Sequence, residues 1–267
     1  MKYGAMNFPI KPVIAEIEKI AALGFDYVEL AMDPPQAHYR LLTAQGKTIR
    51  AHLEDLGLGL VCHMPTFVST ADLTDSIREA SIEEVLGSLD VAADLGAAKV
   101  VLHPSTVKGM ASLVMEEALA RASDALHRFV THAEVLGLSL CLENMFPHIS
   151  PYVEASRFEP LFAQFPNLRL TFDAAHAHIG DLAGRRIKAI LDRWGRRIGH
   201  VHLSDNDGYG DSHLTLGAGT LPLEMILKRL ATVGYDDTIT LEIFSEDPEE
   251  LTASRRLLAR LWKAARR

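Results

Sequence analysis

The chain has 267 residues, of which 48% are hydrophobic and 23% charged, and its formal net charge is −8. This balance excludes a disordered chain, and the acidic charge argues against nucleic acid as a partner because it would repel phosphates. No apolar run approaches membrane-spanning length, so we expect a soluble, cytoplasmic protein that has no membrane partner.

Short apolar runs alternate with amphipathic segments along the whole chain. The runs show little internal alternation of polar and apolar residues, which is typical of parallel strands covered by helices. The predicted strands span residues 2–5, 27–31, 58–63, 99–103, 138–143, 168–173, 198–203 and 238–244. The predicted helices lie at about 12–23, up to 56, 72–95, up to 137, 156–165, 187–194, 221–233 and in the basic C-terminal segment. Eight such units predict an α/β fold, a closed (β/α)8 barrel that forms one domain over residues 1–267.

Two connections between predicted elements are unusually long. Residues 144–155 follow the fifth strand, and residues 204–220, rich in Gly, Asp and Asn, follow the seventh. Both leave the carboxyl ends of strands and therefore lie on the same rim of a barrel, where such enzymes carry their chemistry. They are predicted to be functional loops.

Side chains that can bind metal stand at the ends of six predicted strands. They are His63, His103, Glu143, Asp173 with His176 three residues later, His202 and Glu242. Because side chains alternate along a strand and the carboxyl ends of parallel strands meet, these groups should converge on one mouth. Burying so many carboxylates and imidazoles together would be costly without a cation. The pattern predicts a divalent-metal site.

Seven segments in this order resemble the xylose isomerase-like TIM barrel superfamily, which joins sugar isomerases and epimerases with endonuclease IV, the second AP endonuclease family. The segments are VCHMP (61–65), VLHPS (101–105), CLENM (141–145), FDAAHAHIGD (172–181), HVHLSD (200–205), GDSHLTLGAG (210–219) and TLEIF (240–244). The resemblance extends over nearly the whole chain and implies the same barrel.

The resemblance also implies metal ligands. Positions matching the isomerases and epimerases would hold one ion through Glu143, Asp173, His202 and Glu242. Positions matching the three zinc ions of endonuclease IV would add His63 and His103, sharing Glu143, and a third set, which comprises His176, Asp211 and His213. The expected cofactor is one to three divalent ions per chain, with carboxylate-rich positions favouring manganese and histidine-rich positions favouring zinc.

Our first hypothesis is isomerisation or epimerisation of a small sugar, polyol or sugar phosphate through an ene-diolate. Glu143 and Glu242 would act as base and acid, and His176 would orient a hydroxyl group. Candidate substrate contacts are Asn7, Glu29, Phe146 and Tyr152.

A second hypothesis is phosphoester hydrolysis by a trinuclear zinc centre, which would use all nine ligand positions. The acidic residues 204–207 replace a lysine expected shortly after His202, so a small phosphoester is a better candidate than DNA. A binding barrel without activity is the third class, and the full ligand set argues against it. The expected partner is thus a small carbohydrate or phosphoester, and a homo-oligomer is compatible with every hypothesis.

Overall fold

Eight parallel strands close into a barrel in the computed structural model, which describes residues 1–107, 109–147 and 150–267. Each strand pairs with the next in sequence, and the last pairs with the first. The strands are β1 (Lys2–Met6), β2 (Tyr27–Ala31), β3 (Gly59–His63), β4 (Lys99–Leu102), β5 (Ser139–Glu143), β6 (Arg169–Asp173), β7 (Ile198–Leu203) and β8 (Thr238–Leu241). The predicted closed (β/α)8 barrel is confirmed.

At least one helix follows each strand, and most of these helices cover the outside of the barrel. They are α1 (Val13–Ala22), α2 (Tyr39–Asp55), α3 (Asp75–Asp94), α4 (Met115–Val135), α5 (Glu159–Gln164), α6 (Ala174–His178), α7 (Arg185–Trp194), α8 (Leu223–Thr232) and α9 (Pro248–Ala265). Within the described ranges, we find no helix that is both long enough and apolar enough to cross a bilayer.

Side chains alternate along each strand between the layer packed against the helices and the inside of the barrel. On β5, Leu140 and Leu142 belong to the apolar layer between strands and helices. Cys141 and Glu143 point the other way, into the barrel, where both are fully buried. The inner layer is tight, because a Cβ on Gly199 would lie 2.7 Å from Cys141 Sγ. Side chains therefore fill the barrel below its mouth.

Two strands end earlier than predicted. The sequence pattern continued the fourth strand to residue 103 and the eighth to residue 244, whereas β4 ends at Leu102 and β8 at Leu241. The apolar residues Ile243 and Phe244 imitate a continuing strand, but Phe244 instead forms part of a cavity wall above the barrel. As a result, His103 and Glu242 stand just past the strand ends, where they face the mouth.

Candidate metal centre

Four predicted ligands meet at the mouth of the barrel, at the ends of the adjacent strands β5 to β8. One ligand atom from each of Glu143, Asp173, His202 and Glu242 lies within 4.8 Å of all the others. His202 Nδ1 is 3.4 Å from Glu143 Oε1, 3.3 Å from Glu242 Oε1 and 3.9 Å from Asp173 Oδ2. The structure thus brings this predicted set together.

The ligand atoms of this group are not satisfied by hydrogen bonds to one another, and a cation would satisfy them. Both carboxylate oxygens of Glu143 and the Nδ1 atom of His202 are buried without a hydrogen-bond partner. Leaving a buried carboxylate without donors is costly in free energy. Ligands about 2.1 Å from one ion lie roughly 3.0–3.4 Å apart, which is close to the observed separations. The group therefore has both the spacing and the unsatisfied atoms that a divalent cation requires.

Glu143 also belongs to a second predicted set. Its Oε2 atom lies 3.6 Å from His63 Nε2 and 3.2 Å from His103 Nε2. These three residues also place ligand atoms within 4.8 Å of one another. Glu143 thus stands between two donor sets, as the resemblance implied.

The third predicted set is joined through a single carboxylate oxygen. Asp211 Oδ2 lies 3.3 Å from His176 Nε2 and 3.2 Å from His213 Nε2. His213 has a φ of 47°, in the left-handed region that costs free energy for a residue with a Cβ atom. Its Nδ1 donates to the Glu242 carbonyl oxygen at 2.9 Å, which holds the imidazole against the mouth.

The Asp-x-x-His spacing has a local structural cause. Asp173 caps α6, and its side chain accepts a hydrogen bond from the His176 backbone N–H at 2.6 Å. One helical turn then places the His176 imidazole beside the carboxylate. Sequence analysis missed α6, although an Asp followed by Ala-Ala-His is a recognisable helix start.

A buried aspartate holds the loop between β7 and α8 that carries Asp211 and His213. Asp205 Oδ1 accepts from the backbone N–H of Leu221 at 2.9 Å, and Oδ2 accepts from Gly217 at 2.8 Å. Asp205 also forms an isolated antiparallel bridge with Leu214. The loop is therefore fixed at both ends, although it contains little regular structure.

Burial and mutual attraction shift the ionisation of the cluster. Burial alone would raise the pKa of Glu143, but the imidazoles of His202 and His103 hold it well below its ordinary value. Burial raises the pKa of Asp173 to about 7. Burial lowers the pKa of His63, but the neighbouring Glu143 carboxylate outweighs it and raises the value to about 9. A cation would displace the protons that these groups otherwise hold.

A cavity of about 480 Å³ opens above the cluster. Its lower wall contains His63, His103, His176, Asp211, His213 and Glu242. Its upper wall is largely apolar and includes Met6, Phe8, Ile10, Phe67, Phe146 and Phe244. Of these apolar residues of the upper wall, only Phe146 was predicted from the sequence. Of the rest, Met6 is the last residue of β1, and the others follow strand ends or lie in loops, where an apolar residue alone gives no clear signal.

The predicted substrate contacts lie at different depths. Phe146 lines the cavity, and its ring centroid is 4.9 Å from that of His176. Asn7 is buried between the lining residues Met6 and Phe8, and its Oδ1 accepts from the Ala31 backbone N–H at 2.6 Å. Tyr152 packs on Phe158 outside the cavity lining, at a centroid distance of 5.9 Å.

Glu29, the fourth predicted substrate contact, lies inside the barrel below the candidate metal centre. Its side chain is fully buried, and its Oε1 accepts from His202 Nε2 at 3.0 Å. A substrate in the cavity would be separated from Glu29 by His202. The structure thus places Glu29, Asn7 and Tyr152 outside the cavity lining, and both oxygens of Glu29 already accept hydrogen bonds inside the barrel.

Comparison with known proteins agrees with this architecture. The family model described as "Xylose isomerase-like TIM barrel" matches residues 17–261. The chain belongs to this family. Its family relatives include fructoselysine 3-epimerase of Escherichia coli O157:H7, 23% identical over 255 residues, which cover 90% of this chain and 87% of that protein. The expected superfamily is therefore confirmed.

Two further matches show how broad the family is. The probable endonuclease 4 of Mycoplasmoides gallisepticum is 25% identical over 208 residues, which cover 72% of this chain and 67% of that protein. The crystal structure of a D-tagatose 3-epimerase-like protein superposes with a TM-score of 0.87 at 24% identity, covering 99% of this chain and 98% of that one. The names of these matches differ in the reaction they imply, so the reaction of this chain must be argued from the site.

Proposed function

We propose that the chain is a divalent-metal-dependent epimerase or isomerase of a small, uncharged ketose-like sugar. The observation that carries this proposal is the buried Glu143 carboxylate, whose oxygens have no hydrogen-bond donors and stand among Asp173, His202 and Glu242. The names of the relatives, fructoselysine 3-epimerase and D-tagatose 3-epimerase-like protein, support the same class of reaction.

The proposed chemistry uses two carboxylates. When bound, the cation would hold a carbonyl and an adjacent hydroxyl and stabilise the charge of an ene-diolate. Epimerisation removes a proton from one face of a carbon and returns it on the other, so it needs groups on both sides. Glu143 on β5 and Glu242 after β8 approach the cluster from strands three apart around the barrel. We assign them as the base and acid, and His176 as the group that orients a substrate hydroxyl.

The cavity favours a neutral substrate over a phosphorylated one. Among the described residues that line it, none is a lysine or an arginine, whereas Asp33, Asp211 and Glu242 add carboxylates. A phosphate group would meet repulsion from these carboxylates, and among the described lining residues it would find no lysine or arginine, the side chains that usually bind it. The aromatic upper wall suits the apolar face of a sugar ring.

Phosphoester hydrolysis is the second candidate, because the two additional donor sets at His63 with His103 and at His176 with His213 are both present. Elemental analysis separates the two functions. About one ion per chain is expected for the epimerase, and about three for the hydrolase.

The proposed reaction is tested by deuterium exchange. The protein is incubated in D2O with Mn²⁺ and a panel of unphosphorylated ketoses, and deuterium at the carbon beside the carbonyl is measured by NMR. The unmodified protein should introduce deuterium, whereas Glu242→Gln should lose about 10²–10⁴-fold in rate. Glu224→Gln, on the exposed face of α8, is the matched control. Hydrolysis of a phosphodiester without exchange into any ketose would contradict the proposal.

A further inference from the structure

A column of buried polar side chains runs down the barrel interior beneath the metal centre. It joins His202 to Glu29, Glu29 to His200, His200 to Thr238 and Thr238 to Lys99. The side chains of Glu29, His200 and His202 have no exposed surface. Lys99 begins β4 at the opposite end of the barrel. A role for this column in metal binding depends on the metal centre of the proposed function.

Lys99 fixes the direction of the first hydrogen bonds in the column. Its ammonium group can only donate, and its three N–H groups contact the Gly199 carbonyl at 2.8 Å, Asp237 at 2.7 Å and Thr238 Oγ1 at 3.1 Å. Thr238 Oγ1 therefore accepts from Lys99, and its own proton is available for His200 Nδ1 at 2.7 Å. An imidazole that accepts at Nδ1 in its neutral form carries its proton on Nε2.

The same logic continues to the centre. His200 Nε2 donates to Glu29 Oε2 at 2.8 Å, and His202 Nε2 donates to Glu29 Oε1 at 3.0 Å. Thr240 also donates to Glu29 Oε2, so this carboxylate receives donors on both oxygens. With its proton held on Nε2, His202 turns the lone pair of Nδ1 toward Glu143 and Glu242. Hydrogen bonding at one imidazole nitrogen is what decides which nitrogen can bind a metal.

We propose that Lys99, Thr238, His200 and Glu29 are positioning residues that act as one relay of hydrogen-bond direction. The relay fixes the tautomer of His202 and presents its Nδ1 atom to the cation. Lys99 would thus act on a metal ligand from the far end of the barrel, without contact with cation or substrate.

The column could instead be read as a metal site of its own, but its hydrogen bonds argue against this. Glu29, His200 and His202 do place ligand atoms within 4.8 Å of one another. However, both Glu29 oxygens already accept hydrogen bonds, and both His200 nitrogens are paired. A cation there would have to break these contacts, whereas the upper cluster has unpartnered atoms.

The first test is the variant Glu29→Gln, compared with the matched control Tyr27→Phe. A glutamine cannot accept from both imidazoles, because one of its two terminal atoms is a donor. We expect Mn²⁺ affinity, measured by calorimetry, to fall about 10–100-fold in Glu29→Gln. Tyr27→Phe removes a buried hydroxyl that contacts Thr240 at 2.8 Å beside the column, and its affinity should stay within about twofold of wild type. Equal affinities in wild type and Glu29→Gln would overturn the proposal.

The second test reads the tautomers directly and needs no substrate. In Zn²⁺-loaded protein with ¹⁵N-labelled histidine, NMR should show protons on Nε2 of both His200 and His202. Lys99→Met should shift part of the His200 population to the Nδ1 proton, Lys99→Arg should restore the wild-type spectrum, and Asp237→Asn should leave it unchanged. A His200 tautomer that does not respond to Lys99→Met would overturn the relay. Failure of the wild type to bind either metal would instead count against the proposed function.

Discussion

Two neighbouring regions of the barrel interior contain the same residue types but differ in hydrogen bonding. In the column, each oxygen of Glu29 accepts from imidazole or hydroxyl donors, and both nitrogens of His200 are paired. In the cluster just above, Glu143 lies 3.1–3.6 Å from imidazole nitrogens and His202 Nδ1 lies 3.3–3.9 Å from carboxylate oxygens, yet these atoms lack hydrogen-bond partners. Burial alone therefore does not identify a carboxylate that binds a metal. A buried carboxylate that has no hydrogen-bond donors, such as Glu143, is the better candidate, because a cation would satisfy it.

The largest expected effect comes from Glu143→Gln, which directly tests the assignment of the upper region. Removing a carboxylate that serves as both ligand and proton-transfer group should lower the rate of deuterium exchange about 10²–10⁴-fold. The measurement is the same exchange assay, with bound metal determined in parallel. Turnover near the wild-type value would show that Glu143 is neither a required ligand nor the proton-transfer group.

Removing the metal should lower stability, because a cation that binds only the folded state stabilises it. At a free concentration one hundred times its dissociation constant, this contribution is about 2.7 kcal/mol. Chelation should thus lower Tm by about 5–10 °C in a scanning calorimetry experiment. The Glu143→Gln protein is the control, since a variant that already lacks the ion should not respond. Identical melting of chelated and Mn²⁺-loaded wild type would count against a metal in the upper cluster.

Metal affinity should increase as the pH rises from about 6 to about 9. The raised pKa values of Asp173, about 7, and His63, about 9, mean that protons occupy the cluster at low pH and must leave when a cation binds. Affinity should change up to about tenfold per pH unit for each proton displaced. Calorimetric titrations with Mn²⁺ in buffers of different ionisation enthalpy would measure the released protons. A pH-independent affinity without proton release would contradict these shifts.

The smallest change is expected for a substitution beside Glu29 in the column. Thr240→Val removes the hydroxyl that donates to Glu29 and accepts from Tyr27, while it preserves the shape of the side chain. We expect the free energy of unfolding to fall by about 1 kcal/mol, measured by urea denaturation of the metal-free protein. Mn²⁺ affinity should remain unchanged, because His200 and His202 still donate to Glu29. A loss of affinity comparable to that of Glu29→Gln would show that Thr240 also positions His202, contrary to this expectation.

Local patterns in the sequence predicted a large part of the structure. The periodicity of apolar residues predicted eight strands, and alternation within them predicted that the ends of β5 to β8 would present Glu143, Asp173, His202 and Glu242 to one mouth. Strand ends were less accurate, because Ile243 and Phe244 continue an apolar pattern after the backbone has left β8.

The partners of each polar group depended on the tertiary structure. Glu29 is 171 residues from His200 and 173 from His202, so no local pattern could show that this acid is satisfied inside the barrel while Glu143 is not. The cavity wall formed by Phe8, Phe67 and Phe244 likewise appears only when three separate loops meet. Because strand periodicity is a local property, the barrel and the carboxylates and imidazoles at its mouth could be predicted from the residues alone. Which buried carboxylates have hydrogen-bond donors depends instead on how the barrel closes, because the donors come from strands that are distant in sequence.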